Sequence, residues 1–284
     1  MRDVRRGITV RWRVVGSLAA LAALLPACAA TTTPAGAPSA DTGFPAFLVF
    51  DYQLGGGYAP AAGVGGVVRD STDVAEPGMY SICYVNGFQS QPADRDSWLA
   101  EPDLVLIGDD GQPLIDDNWP DELIFDISTA DRRERIAARV GESIAACGRK
   151  GFSAVEIDNL DSYTRSDGRL TEEDAIALAT LYVQAAHDAG LLIGQKNAAE
   201  MGPRGRDDVG FDFAVAEECV AFEECSAYRD VYGEAVLDIE YADNLLSGFD
   251  AACAVDDRPH STILRDRDLV PADDADHVFQ ACPA

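Results

Sequence analysis

Nine short runs of β-type sequence recur from Phe47 onward, and several are separated by stretches of helical periodicity. They cover residues 47–53, 65–71, 80–86, 123–128, 154–159, 191–197, 211–217, 235–241 and 261–266. Strand alternating with helix specifies a mostly parallel sheet with helices outside it. Eight such units in a domain of this size fit an α/β fold of the (β/α)8 TIM-barrel type. One of the nine runs is then surplus. The link at 54–64 is Gly/Ala-rich and too short for a good helix, so one of the first two runs is expected outside the barrel. A doubly wound open sheet is the alternative, but no Gly-rich phosphate loop supports it.

The run 151–161, GFSAVEIDNLD, is the most informative. Val155 and Ile157 fall on one face and Glu156 and Asp158 on the other, the period-two alternation of a strand. Two acids on one face of a buried strand are costly unless used, because unpaired buried charge is expensive. The same ending recurs. Asp51, Asp70, Asn86, Asp126, Asp158, Gln195 with Asn197, Glu217 with Glu218, Glu240 and Asp266 lie at or near the ends of their runs. A barrel gathers the C-terminal ends of its strands on one face, where active sites are built.

Two helices carry explicit signals. From Thr129 to Cys147, Ile136, Val140 and Ile144 recur at four-residue spacing, with Gly148 as the expected stop. Thr171 followed by Glu172, Glu173 and Asp174 reads as a capping box opening a helix that Gly190 ends.

The first residues do not belong to the barrel. Arg2, Arg5, Arg6, Arg11 and Arg13 precede an apolar run at 14–25 that is too short to span a membrane. Leu25-Pro26-Ala27-Cys28 resembles the lipobox of bacterial lipoproteins, which implies a signal peptide over 1–27 and lipidation of Cys28. Residues 28–43 read as a Thr/Pro/Ala tether, and the (β/α)8 domain is placed at 44–284. The expected location is the outer face of the cell membrane, through a lipid anchor, or the medium.

Six cysteines remain after Cys28, an even number behind an export signal, which favours disulfides over metal ligation. Cys219 with Cys225 is the plausible local pair, and Cys253 with Cys282 would tie down the C-terminus. The net charge of -27 repels nucleic acid and anionic headgroups and attracts a cationic ligand.

His187, His260 and His277 have no metal-ligand spacing and are expected at the surface. No EF-hand loop and no Gly-x-Ser-x-Gly elbow is present, so neither metal nor cofactor is expected. What remains is paired carboxylates with amides and aromatics. That set suits glycosidic bond cleavage, in which one carboxyl acts as acid and the other as nucleophile or base. Tyr52, Phe88, Trp98, Trp119, Tyr163 and Tyr241 are candidate faces for sugar rings.

The run GFSAVEIDNLDSY resembles the G-(F/C)-D-G-V-E-P-D-N-V-D-G-Y signature of glycoside hydrolase family 114, the endo-α-1,4-polygalactosaminidases. The motifs around Ala186–Leu191, Gly194–Asn197, FDFAVAEECVAFEEC from Phe211, Tyr80–Gly87, Trp119–Ile127, Ala235–Tyr241 and Ser261–Leu264 are similar to that family too. Ile157 stands where the family has Pro and Ala216 where it has Asn, which bears on substrate preference more than on reaction class. The resemblance implies a (β/α)8 barrel that cuts α-1,4-linked galactosamine-containing polysaccharide internally, with Asp158 and Glu217 as its paired acids. We expect Asp158 to act as nucleophile and Glu217 as general acid/base, with retention. Asp51, Tyr52, Asp70, Glu156, Asn159, Asp161, Lys196, Asn197, Glu218 and Glu240 are the expected substrate-binding and tuning groups. The partner is then a cationic amino-sugar polymer. A non-catalytic glycan-binding lipoprotein on the same barrel is the alternative, permitted by Ala216; bond cleavage separates the two.

Overall fold

Alternating β-branched and aromatic residues form eight parallel strands, described here from a computed structural model that covers residues 43–283. The expected signal peptide, Cys28 and all but the last residue of the expected tether lie outside the described residues. The strands are β1 (Phe50–Gln53), β2 (Gly66–Asp70), β3 (Tyr80–Asn86), β4 (Ala154–Asp158), β5 (Leu192–Lys196), β6 (Phe213–Glu217), β7 (Val236–Tyr241) and β8 (Ser261–Arg265). A short β9 (Phe279–Ala281) pairs antiparallel with β8. Spatial order follows chain order from β1 to β9.

Each strand divides its side chains between two cores. Val155 and Ile157 of β4 join Ile136, Val140, Ile144 and Tyr182 in the layer between sheet and helices. Ala154 points the other way and packs with Phe50, Val68, Ile82, Phe213, Leu237 and Ile263 inside the barrel. Glu156 and Asp158 share the parity of Ala154, so β4 delivers both acids to the interior. Among the described ladders none joins β8 to β1. The seam is closed instead by Arg265, fully buried, which donates to the carbonyl of Tyr52 and lies 3.1 Å from Asp51 Oδ1.

The surplus run is not one of the first two. β1 and β2 pair directly in parallel, Phe50 with Gly66 through Gln53 with Arg69, with no helix between them. The run at 123–128 is the one outside the barrel. β4 already occupies the edge of β3, so Leu123, Ile124 and Phe125 make only antiparallel bridges to Ile115, Gln89 and Val105 within the long β3–β4 connection.

The helices are α1 (Arg95–Leu99), α2 (Ala130–Arg149), α3 (Glu172–Asp188), α4 (Cys225–Tyr232) and α5 (Phe249–Ala252). Thr129 caps α2, but Gly148 lies inside that helix; the stop falls at Lys150 and Gly151, whose φ of 88° no β-carbon residue adopts readily. The capping box of Thr171 and Asp174 opens α3, and Gly190 follows its end with φ 74°. Tyr182 of α3 donates to the carbonyl of Gly87 at 2.5 Å. A β-carbon on Gly87 would meet Ile157 Cγ2 at 2.5 Å, so only glycine lets the turn after β3 lie against β4.

Three disulfides fasten the connections. Cys219–Cys225 and Cys253–Cys282 form as the sequence led us to expect, and Cys83–Cys147 joins β3 to α2. His187 and His260 sit at the surface against Asp212 and Glu234. His277 does not. Its ring is largely covered and bonds the carbonyl of Val270 at 2.9 Å, because β9 folds back over the barrel seam.

Candidate active site

Lys196 ends β5 with 2% of its side chain exposed, a position an ammonium occupies only when paired. Its Nζ lies 3.0 Å from Glu217 Oε2 and 3.6 Å from Asp158 Oδ1. The rings of Tyr52 and Tyr84 flank it, with centroids at 5.7 and 5.9 Å. Burial alone would lower its pKa, but Asp158, Glu217 and Glu156 outweigh that and hold it well above the usual lysine range.

Glu217 ends β6 and keeps 27% of its side chain exposed. Asn197 Nδ2 donates to its Oε2 at 3.0 Å, while Asn197 Oδ1 accepts the Glu217 N–H at 2.8 Å. The hydroxyl of Tyr241 donates to Oε1. Burial pushes this carboxyl up, and Lys196, Tyr241 and Asn197 together overcome it, bringing the pKa down to about 2. Asp158 accepts from Tyr84 Oη at 2.7 Å and from the Asn159 N–H at 2.8 Å. Both carboxylates therefore meet at one ammonium. The bound set by its two contacts takes in the retaining separation of about 5–5.5 Å and just reaches the inverting range that begins near about 6.5 Å.

One device shapes three strand ends. Asn159, Asn197 and Glu218 each follow the last residue of β4, β5 and β6, and each is left-handed, with φ of 62°, 51° and 63°. The chain thus turns sharply just after Asp158, Lys196 and Glu217. Asparagine tolerates this conformation; Glu218 does so at a cost of about 1 kcal/mol or more. Its carboxylate is held by Arg267 at 2.9 and 3.0 Å, and Arg267 in turn covers the ring of Tyr241 at 4.1 Å.

Beneath the pair lies Glu156, fully buried, with Tyr52 Oη donating to its Oε1 at 2.5 Å. Burial raises its pKa to about 7, against the pull of Lys196 and the Tyr52 bond. Tyr52 and Glu156 are closed to solvent, so direct substrate contact is corrected to a role exerted through Lys196. Glu240 is also fully buried and lies on the outer face of β7 beside Asp238. These two carboxylates accept the N–H groups of Val220 and Cys219 at 2.8 and 3.2 Å, bracing the loop after Glu217 rather than touching a ligand.

Other expected groups are elsewhere. Asp51 alternates with Tyr52 and is consumed by Arg265, Gln53 and Tyr58 on the far side of β1. Asp70 closes its own turn through Thr72 and accepts from Gln91. Asp161 pairs with Arg165 at 2.8 Å, which also bonds Asn159. Of the six aromatics, Phe88, Trp98, Tyr52 and Tyr241 are buried; Trp119 is exposed and Tyr163 half-buried.

Two functional residues escaped sequence reasoning. Tyr84 holds Asp158, and its place two residues before Asn86 repeats the Glu156–Asp158 spacing, which was the available signal. Glu122 accepts Asn86 Nδ2 at 2.9 Å, and burial raises its pKa to about 7. Asn86 Oδ1 accepts from Asn159 Nδ2 at 3.1 Å, linking Glu122 to the turn that follows Asp158.

A parallel barrel with two carboxylates converging at the C-terminal ends of β4 and β6 defines the barrel type of glycosidase. The chain belongs to the glycoside-hydrolase family GH114, whose model matches residues 29–284, and it is a glycoside hydrolase. Its structure is similar to that of Aspergillus fumigatus Ega3 in complex with galactosamine, with 22% identity, a TM-score of 0.65, and 84% of this chain and 97% of that one covered. It is also similar to the glycoside hydrolase domain of PelA from Pseudomonas aeruginosa, with 16% identity, a TM-score of 0.55, and 81% and 97% covered. At these identities the likeness establishes the fold. No curated protein sequence matches the chain. Family membership sets aside the reading of a purely glycan-binding barrel.

Proposed function

We propose that the protein cleaves α-1,4-linked, galactosamine-containing polysaccharide internally, with retention, through Asp158 and Glu217. The carrying observation is the single buried ammonium of Lys196 shared by those two carboxylates at the ends of β4 and β6. Galactosamine bound by the similar Ega3 supports the sugar class, and the net charge of -27 supports a polymer with free amines.

In the first reading Asp158 attacks the anomeric carbon while Glu217 protonates the departing oxygen. The glycosyl–Asp158 ester is then opened by water, which Glu217 deprotonates. Glu217 starts as a carboxylate, so this route needs substrate to displace Lys196 toward Asp158 and let Glu217 take up a proton. The lowered pKa of Glu217 favours a second reading with the roles exchanged, Glu217 as nucleophile and Asp158 as acid. Azide rescue separates them. In a variant lacking the nucleophile, azide attacks directly and gives the β-glycosyl azide; in one lacking the acid/base it opens the ester and gives the α-azide. Under the first reading Asp158→Ala yields the β-product and Glu217→Ala the α-product. No azide adduct from either variant, with an inverted hemiacetal from the wild type, removes the retaining mechanism.

Export and lipid anchoring at Cys28 belong to the same proposal. The arginines and apolar run of 1–25 and three disulfides in the barrel support it. Radiolabelled palmitate incorporated by the wild type but not by Cys28→Ser would bear it out; equal labelling of both would end it.

A further inference from the structure

Two loops leave the rim of the active site and face each other across a groove of about 620 Å³, within the size range of ligand sites. One follows Glu217 and is pinned by Cys219–Cys225. The other follows Tyr241, whose carbonyl accepts the N–H groups of Asn244 and Leu245. The hydroxyl of Tyr241 holds Glu217. Both walls are thus rooted in residues that set the carboxylate.

The lining is chemically one-sided. Phe222, Leu245, Leu246 and Val255 supply apolar surface, and Glu223 and Asp257 supply carboxylates. No Lys or Arg lines the groove. Phe222 is 60% exposed and Leu246 is 96% exposed. Nothing in the fold of the described residues needs large apolar side chains standing in water there. A hexosamine unit has the matching pair of surfaces: an apolar C–H face and, at C2, an ammonium. An ammonium is attracted both by carboxylates and by the face of an aromatic ring.

We propose that this groove is a distal subsite for the same amine-bearing glycan chain, seating sugars several units away from the bond that is cut. Phe222 and Leu246 take the sugar faces, and Glu223 and Asp257 take the amines. This rests on the substrate class proposed above. Binding away from the reacting centre favours long chains over short ones and gives the enzyme an endo preference. The disulfide holds the Phe222 wall in place before substrate arrives, which lowers the ordering cost of binding.

The test uses the full chain with defined α-1,4-galactosamine oligomers, a trimer and a chain of a dozen units, and four proteins: wild type, Phe222→Ala, Leu246→Ala, and Glu223→Gln combined with Asp257→Asn. The expected result is a ratio of kcat/KM for long over short chains that falls about tenfold in each variant, or about 1.4 kcal/mol. In parallel, binding of the dozen-unit chain to Glu217→Gln, with and without Phe222→Ala, is measured by calorimetry and needs no cleavage. Weaker binding with Phe222→Ala supports the subsite even if the wild type cuts nothing, which would defeat the proposed function alone. An unchanged long-to-short ratio with unchanged binding overturns the subsite. So does sedimentation showing that Phe222→Ala abolishes a dimer without altering glycan binding, since the groove would then be a self-association face.

Discussion

Lys196 Nζ lies 3.0 Å from Glu217 Oε2, and this contact sets the charge state of the site. A carboxyl as enclosed as Glu217 would otherwise shift upward; the neighbouring ammonium, with the Tyr241 and Asn197 donors, reverses the direction. Lys196 also reaches Asp158, so substrate arriving at either carboxylate changes what the other feels.

Asp158→Asn and Glu217→Gln are each expected to keep the fold and lose cleavage. Acid/base help alone contributes roughly 10²–10⁴ in rate, and loss of a nucleophile costs at least as much. Turnover and circular dichroism are the two readings. Near-normal turnover in either folded variant would move the chemistry to other residues.

Lys196→Met removes the ammonium and leaves its carboxylates facing one another. Breaking a buried ion pair from one side costs about 3–5 kcal/mol. The loss is expected to shrink as pH falls, because protonated carboxyls no longer need the ammonium. In the wild type the folded pKa of Glu217, about 2, lies below its ordinary value. Its contribution is therefore present above the ordinary glutamate range and fades as pH falls toward 2. Urea midpoints of both proteins at neutral and acid pH check this; a stability difference independent of pH would show that Lys196 acts by packing alone.

Glu156 behaves in the opposite sense. Burial raises its folded pKa to about 7, so the native state holds a proton that the unfolded chain has released. Its contribution is complete below the ordinary glutamate pKa and is lost as pH rises through about 7. The change is on the order of 3 kcal/mol. Glu156→Gln keeps an acceptor for Tyr52 and should flatten this part of the stability–pH curve. Identical curves for both proteins between pH 5 and 8 would contradict the assignment.

The disulfides should separate stability from activity. Cys83–Cys147 spans 64 residues and Cys219–Cys225 spans 6. Loop entropy then assigns about 4 kcal/mol to the first and about 2 kcal/mol to the second. Replacing both cysteines of each pair with Ser should lower Tm more for the long loop and kcat more for the short one, which begins two residues after Glu217. The reverse order in kcat would remove the loop from any part in positioning.

The barrel and the acids at its strand ends were legible because the signals were local. Strand period, strand-end acids and the capping box at Thr171 need only neighbours in sequence. The run at 123–128 misled because a buried apolar run looks the same whether it joins a sheet or packs under a loop. Asp51 and Glu240 misled for a related reason. Acids at strand ends were identifiable, but which face of the strand they occupied depended on a register visible only in three dimensions, and both lie outside the barrel interior. Lys196 was identified as a tuning group; its place between Asp158 and Glu217 follows from β5 lying between β4 and β6, which no sequence spacing records.

Salt should weaken cleavage of amine-bearing chains and spare acetylated ones. The chain carries a net charge of -27, and Asp158 and Glu217 converge on the open end of the barrel while Lys196 between them is 2% exposed. The face offered to an approaching polymer is therefore negative. A free 2-amino group is protonated near neutral pH, which makes the deacetylated polymer a polycation, drawn in faster by a cleft of opposite sign. Screening acts over about 10 Å at 0.1 M salt, so encounter slows as salt rises while contacts inside the cleft persist. The effect belongs in kcat/KM at low substrate, where encounter limits the rate, and not in kcat. Initial rates on mostly deacetylated and fully acetylated α-1,4-galactosaminan, at low and high sodium chloride, distinguish the cases. A steep fall for the first polymer and a flat line for the second is the expected pattern. Equal, flat responses would mean that the acidity only solvates the surface and that the pocket selects by shape.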